Sequence, residues 1–510
     1  MTFLSFLDRE HSLAKPGFNR WLVPPAALAI HLCIGQIYAY SVFNKPMSQI
    51  IGISESLASD WQLTTLGWIF SIALFTLGAS AALFGKWLER VGPRKAMFAS
   101  AICFAGGFLV AALGVSTHHI WLVYLGHGVL GGIGLGLGYI SPVSTLIKWF
   151  PDRPGMATGM AIMGFGGGAM IASPLSVNLM NYFQSDSSVG VMETFLVMGL
   201  LYFGFMMFGV FTVRIPRDDW KPEGWTPPAN QTISHSYVDA DTAIRTPQFY
   251  LLFAVLMLNV TAGIGVLGQA SVMIQEMFSV ESVGEQLAVT AAAAGGFVGL
   301  LSLFNMLGRF IWSSLSDRIG RKNTYHIFFL LGAVLYVSVP SIGGAGSIVF
   351  FVLCFSIIMS MYGGGFATIP AYLRDRFGTA QVGAIHGRLL LAWSAAAILG
   401  PVLVNYIRAY QINSLQLAPA EVYSITMYIM AGLLIVGFIC NFLVSPVDER
   451  HFQQQADKDS ASLSDESERS KEGRASTSLD TKLILSWAFV SIPLLWGVSQ
   501  TLVKSLSLFG

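Results

Sequence analysis

An all-α integral membrane fold, with two parallel six-helix repeats and a thirteenth helix at the C-terminus, is predicted by three observations. The chain of 510 residues is 54% hydrophobic and only 11% charged, where soluble domains average about 25% charged. Thirteen apolar runs are each long enough to cross a bilayer, which takes about 20 mostly apolar residues. Landmark residues then recur at a nearly constant spacing of 228 positions.

In chain order, residues 1–20 carry Asp8, Arg9, Glu10 and Lys15. No small-residue cleavage site follows a short apolar core, so they read as a cytoplasmic N-terminus and not as a signal peptide. The first half, 21–213, holds apolar runs at 21–44, 62–86, 96–115, 119–147, 156–181 and 193–213. Residues 214–248 are polar, with Arg214, Arg217, Lys221 and several prolines, and read as a central loop. The second half, 249–445, holds runs at 249–278, 287–314, 325–342, 348–373, 382–407 and 421–445. Ser, Asp, Glu, Lys and Gln dominate 446–480, the composition of a disordered linker. Residues 481–510 supply the extra helix, with its apolar run at 483–503.

Orientation follows from Lys and Arg. With the N-terminus inside, the inner loops hold fifteen of these residues, among them Lys86, Arg90, Lys95, Lys148 and Arg321, while the outer loops hold Lys45 and Arg408. A multi-pass protein of the cell membrane with a cytoplasmic N-terminus is expected.

The halves repeat. Glu89-Arg90-Val91-Gly92 and Asp317-Arg318-Ile319-Gly320 lie 228 residues apart, as do Pro142 and Pro370, Gly35 and Gly263, and Lys148 and Arg376; Pro174 and Pro401 are 227 apart. Six is even, so both copies have the same orientation. Parallel repeats around a midplane site are a transporter plan.

These motifs carry a resemblance. Gly85–Lys95, with its glycine, acid–arginine pair, glycine and basic cluster, resembles the signature between helices 2 and 3 of the major facilitator superfamily; Ser313–Lys322 is a weaker second copy. The resemblance implies that Glu89, Arg90 and Lys95, with Asp317 and Arg318, form a gate whose acids and bases pair across the cytoplasmic seam. The plainer alternative is that the cations only anchor loops inside. Gly35–Phe43, Lys148–Arg153, Gly164–Gly166 and Phe304–Arg309 are similar to the oxalate–formate antiporter family, itself distantly similar to monocarboxylate transporters. The linker with the last helix resembles a separate single-helix companion protein found with some of these transporters.

One cation stands out. Arg309 lies inside an apolar run, where a charge costs roughly 2.5–3.5 kcal/mol at a helix centre. Its planar guanidinium matches a carboxylate bidentately, and in the resembling family the arginine at this position binds substrate. Oxalate carriers pair it with a lysine in helix 11. That position falls at Trp393 here, and 382–407 contains no lysine. One fixed cation favours a monoanion such as formate, lactate or pyruvate. Arg388 is the alternative second cation for an oxalate:formate antiporter, although it lies five residues from Trp393, about 140° round a helix. Tyr38, Tyr139, Tyr362 and Trp393 are the candidate cavity walls, each with an apolar ring and one polar tip; core packing is the alternative for each.

Coupling is less legible. Where monocarboxylate transporters have an aspartate one turn before the arginine, this chain has Asn305. His31 and His127 lie in spans and titrate near neutrality in water, but packed helix residues are the simpler reading. Gly134–Gly138 alternates glycine and leucine without the strand and helix of a nucleotide loop. The cysteines Cys33, Cys103, Cys354 and Cys440 are scattered singly. No enzyme constellation, metal or cofactor is expected. The expected partners are a small organic anion and the lipid bilayer, with no nucleic acid, and the protein is expected to function as a monomer. A carboxylate sensor signalling through 446–480 is a further alternative.

Overall fold

The computed structural model describes residues 5–53, 55–217, 220–225, 236–285, 288–418, 421–454 and 481–506. Among these residues, thirteen helices are long and apolar enough to cross a membrane. The first half comprises α1 (Arg20–Met47), α2 (Leu63–Val91), α3 (Pro93–Ser116), α4 (Ile120–Trp149), α5 (Pro154–Phe183) and α6 (Val191–Thr212). The second comprises α7 (Pro247–Met277), α8 (Ala291–Ile319), α9 (Arg321–Gly344), α10 (Ile348–Phe377), α11 (Val382–Asn413) and α12 (Tyr423–Leu443). The last is α13 (Thr481–Ser505).

The repeat is visible in the backbone. Helix α2 ends at Gly92 and α8 at Gly320, each with φ of 86°. A side chain at that φ is strained, so glycine lets the chain turn at once into the next helix. The halves meet along two seams related by the same repeat. Helix α2 packs on α11, and α5 on α8, with α10 also against α5. The acids and cations at the ends of α2, α4, α8 and α10, among them Glu89, Lys148, Asp317 and Arg374, meet the α4–α5 turn on one side of the bundle, the basic face.

Three spans depart from plain α-helix. Within α1, Gly35–Phe43 tightens to a 3₁₀ helix. A Cβ at Gly35 would lie 2.4 Å from the Phe165 carbonyl oxygen, so the motif's first residue is set by close packing of α1 on α5. Tyr124–Leu130 in α4 is a π-helical stretch. Helix α11 breaks at Leu390, between Val382–Leu389 and Leu391–Asn413.

Two connecting regions contain more structure than their composition suggests. In the central loop, β1 (Ser236–Val238) precedes a one-turn helix, Ala240–Ala243. The region expected to be a disordered linker from 446 begins with β2 (Phe452–Gln454), which pairs antiparallel with β1. Backbone pairing with a distant strand, which composition does not encode, orders this part; the rest, 455–480, lies outside the described residues.

Helix α13 packs against α8, α5 and α1. Near its start, Trp487 Nε1 donates to the Trp21 carbonyl at 3.1 Å, and Phe489 stacks on Phe205 with ring centroids 4.5 Å apart. Near its end, Ser505 Oγ donates to the Gly296 carbonyl at 3.1 Å. It therefore runs diagonally over the α5–α8 seam, held by one half at one end and by the other half at the other.

Candidate functional site

Arg309 is fully buried on α8, at the seam with α5. Its Nε donates to Asn305 Oδ1 at 3.1 Å, one turn earlier on the same helix. Its Cζ lies 5.2 Å from the Phe366 ring centre and 5.7 Å from that of Phe165. Such cation–π contacts contribute up to about 2 kcal/mol when desolvated. Nη1 and Nη2 have no hydrogen bond of normal geometry among the described residues, and no described carboxylate pairs with this guanidinium. Buried polar groups are ordinarily satisfied, so a fork whose terminal nitrogens have only the Tyr38 and Tyr139 hydroxyls beside them, and no described carboxylate, is the central feature of the site.

The four aromatic residues expected to line a cavity come together around it, from four different helices. Tyr38 Oη is 3.4 Å from Tyr362 Oη, bridging α1 and α10. Ring centroids of Tyr139 and Trp393 are 5.7 Å apart, and those of Tyr38 and Trp393 6.4 Å. Tyr38 and Tyr139 stand beside the Arg309 charge. Among the described residues Trp393 Nε1 is buried without a hydrogen-bond partner, and the Tyr139 hydroxyl has only the Arg309 guanidinium beside it. Two further rings close the cage. Phe165 lies 5.1 Å from Tyr38 and 5.5 Å from Trp393; Phe366 lies 4.6 Å from Trp393. Sequence reasoning missed both phenylalanines. Phe165 sits inside the Gly164–Gly166 motif, a usable signal, whereas Phe366 is one ordinary residue among 36 phenylalanines.

The other candidates lie elsewhere. Arg388 points out of the cage, with Nη2 2.5 Å from Asp241 of the central loop. Lys86 of α2 joins the same carboxylate, so Asp241 ties α2 to α11. Because Lys86 and Arg388 hydrogen-bond to it, the Asp241 carboxyl is brought down to about 2. His127 stacks on Tyr40 at 4.3 Å, away from Arg309. His31 has Nδ1 3.1 Å from the Ala27 carbonyl and meets Tyr139 edge-on at 5.6 Å.

On the basic face, the two signature acids serve opposite halves. Asp317 accepts the backbone N–H groups of Gly155 at 2.9 Å and Met156 at 2.8 Å, capping the start of α5. Glu89 Oε1 faces the start of α11, where a Cβ on Gly383 would lie 2.6 Å from it. Gly155 and Gly383 are themselves 228 residues apart. Helix N-termini favour anions, so each acid faces a helix start in the opposite repeat, although only Asp317 accepts hydrogen bonds from it. The basic partners differ from those the signature suggests. Glu89 pairs with Lys148 at 2.7 Å and Asp317 with Arg321 at 2.5 Å. Arg90 and Arg318 are exposed, and Lys95 pairs with Asp8 at 3.6 Å. Helical geometry accounts for this: Arg90 and Arg318 immediately follow their acids, and neighbours in sequence point about 100° apart on a helix.

Two six-helix repeats enclosing a buried, unsatisfied cation, with a sealed seam on one face, define a multi-pass membrane transporter. The chain belongs to the Major Facilitator Superfamily, whose family model matches residues 26–401 and again 277–509. It is similar to the oxalate:formate antiporter of Oxalobacter formigenes, at 26% identity over 384 residues, covering 75% of this chain and 83% of the relative. The MFS-type transporter YhjX of Escherichia coli strain K12 is 24% identical over 383 residues, 74% of this chain and 86% of the relative. Apicoplast pyruvate carrier 1 of Toxoplasma gondii is 23% identical over 481 residues, covering 76% of this chain and 83% of that protein. Among solved structures, the transporter FucP in its outward conformation has the same fold, with a TM-score of 0.60 at 12% identity, covering 84% of this chain and all of FucP. The human organic anion transporter MFSD10 gives 0.57 at 14% identity, covering 84% of this chain and 100% of that chain.

Proposed function

We propose that this protein carries a small monocarboxylate of the formate, lactate or pyruvate type across the membrane by alternating access, with Arg309 as its carboxylate ligand. The observation that carries the reading is a buried Arg309 fork with no described carboxylate partner and only tyrosine hydroxyls beside its Nη atoms, inside an aromatic cage. A carboxylate accepts from both nitrogens at once, and charge-assisted bidentate pairs are the strong ones. Tyr139 Oη and Trp393 Nε1 are further donors for the same anion. The rings of Tyr38, Tyr139, Tyr362 and Trp393 surround the guanidinium with apolar surface that excludes water. Alternating access is supported by the gate: Glu89 and Asp317, assisted by Lys148 and Arg321, close the basic face, which the charge asymmetry assigns to the cytoplasm. A single chain supplies every wall, in keeping with a functional monomer.

The Oxalobacter relative favours a second reading, oxalate:formate exchange. It requires another cation for the dianion. Arg388 is engaged by Asp241 and separated from Trp393 by the break at Leu390, which weighs toward the monoanion.

The test is uptake of labelled formate, lactate, pyruvate and oxalate into proteoliposomes, with and without counter-substrate and a pH gradient. Monocarboxylates are expected to be carried and oxalate poorly. Arg309→Lys, which keeps the charge and removes the fork, is expected to impair transport in a folded protein. Oxalate exchange at monoanion rates, or an Arg309→Lys protein with unchanged affinity and rate, would overturn the reading.

A further inference from the structure

We infer that α13 belongs to the frame of the anion site, and that Leu494 is a positioning residue for Arg309. The inference rests on the proposed role of Arg309. Its basis is a three-helix junction directly behind the guanidinium.

A Cβ on Gly166 would lie 2.9 Å from Arg309 Nε, so the arginine stem runs along bare backbone of α5. At the next residue, a Cβ on Gly167 would meet Met306 Sδ at 2.7 Å and Leu494 Cδ1 at 2.8 Å. The thioether of α8 and the leucine methyl of α13 therefore converge on one spot beside α5. Met306 is buried three residues before Arg309 on the same helix. Leu494 packs on the small cluster that contains Met306. It backs the residue that flanks the arginine without touching the arginine itself.

An arginine has a long, rotatable stem, and ordering such a side chain costs up to about 2 kcal/mol. A binding site gains affinity when that cost is met before the ligand arrives. Methionine adapts readily to space. With Leu494 shortened, Met306 relaxes toward α13 and the stem of Arg309 loses its backing. The expected defect is in affinity for the anion, because the guanidinium remains present and charged.

The experiment measures initial uptake rates of labelled formate, lactate and pyruvate by the full-length protein in proteoliposomes. The readout is whichever anion has its KM raised by Arg309→Lys. Leu494→Ala is expected to raise that KM about tenfold, since small misplacements of binding groups cost one to two orders of magnitude, with the maximal rate within twofold. Leu494→Met, of similar volume, is expected to stay within twofold of the unsubstituted protein in both. Leu495→Ala, at a lipid-facing position 66% exposed, is expected to change neither. If Leu494→Ala fails to assemble, Leu494→Val gives the same reading with a smaller cut. An unchanged KM, or a loss confined to the maximal rate, overturns the inference and leaves the role of Arg309 standing. If Arg309→Lys changes no KM, the underlying reading fails and takes this one with it.

Discussion

Asp317 of the second repeat accepts the backbone N–H of Gly155, at the start of α5 in the first repeat, at 2.9 Å. One carboxylate thereby joins two halves that must separate on this face if the protein is to open there. Charge-assisted hydrogen bonds are worth roughly 1.5–3 kcal/mol each, and the positive end of α5 adds to them. Asp317→Asn is expected to favour the state open on the basic face. The check is maleimide labelling of a cysteine placed at Thr158, whose hydroxyl now donates to the Ala367 carbonyl across the seam at 2.6 Å. Labelling from the basic side should rise severalfold; unchanged labelling would remove Asp317 from the gate.

Glu89→Gln should have the weaker effect. Glu89 faces the start of α11 without a backbone hydrogen bond from it, and its Oε2 pairs with Lys148 inside its own half. In the same labelling assay the order should be Asp317→Asn, then Glu89→Gln, then the unsubstituted protein. A reversed order would mean that the α2–α11 seam and not the α5–α8 seam limits opening.

Trp393→Lys should add the second cation that the cage lacks. In competition uptake, oxalate is expected to gain at least about tenfold against formate, as one added charge-assisted pair of roughly 1.5–3 kcal/mol implies. The substituted protein should also be less stable without substrate, because two like charges would be buried together. Loss of stability with no gain for oxalate would show that position 393 does not reach a second carboxylate.

Asp241 links Lys86 to Arg388 outside the apolar spans, and its carboxyl is brought down to about 2 by those two hydrogen-bonded cations. A carboxyl lowered on folding contributes stability above its unfolded value. That contribution is lost only as pH falls through the folded value. The latch should therefore be intact and pH-independent from pH 5 to 8 and weaken only as pH drops below about 4, the ordinary range of an aspartate. Hydrogen exchange over 236–246, corrected for the intrinsic rate, should be flat from pH 5 to 8 and faster in Asp241→Asn. A transition near pH 6 would point to a different group.

Gly497 abuts Ile171 and Met170 of α5, and a Cβ there would already lie 3.0 Å from Ile171 Cγ1. Gly497→Leu is expected to displace α13 and lower the Tm in detergent by several degrees, as overpacking costs about 1–3 kcal/mol. Ile492→Ala, at a position 66% exposed, should leave it unchanged. Equal Tm values for both would mean that α13 is not docked as described.

Several features could be read before folding because they are local or repeated. The spacing of 228 marked the same acid–arginine–glycine turn in both halves, and Gly92 and Gly320 share a φ of 86° because each turn is built from its own few residues. An arginine in an apolar run announces a site because its burial is costly wherever it packs. Tyr38, Tyr139, Tyr362 and Trp393 could be nominated from amphipathic character and helix membership, and they do meet. Phe366 could not, because nothing in a phenylalanine distinguishes a cage wall from lipid-facing packing.

By itself the sequence determined the class: a chain this apolar, cut into spans and duplicated in register, must satisfy its backbone within helices and pack two equal halves in a membrane. Only the tertiary structure decided the pairings. Lys148 and Arg321, not Arg90 and Arg318, reach the signature acids; Asp241 occupies Arg388; and α13 lies over the α5–α8 seam behind Arg309. Each of these depends on which faces of distant helices are brought within a few ångströms. Composition and spacing set the helices, but a charge or a methyl group acts only on what the fold places beside it.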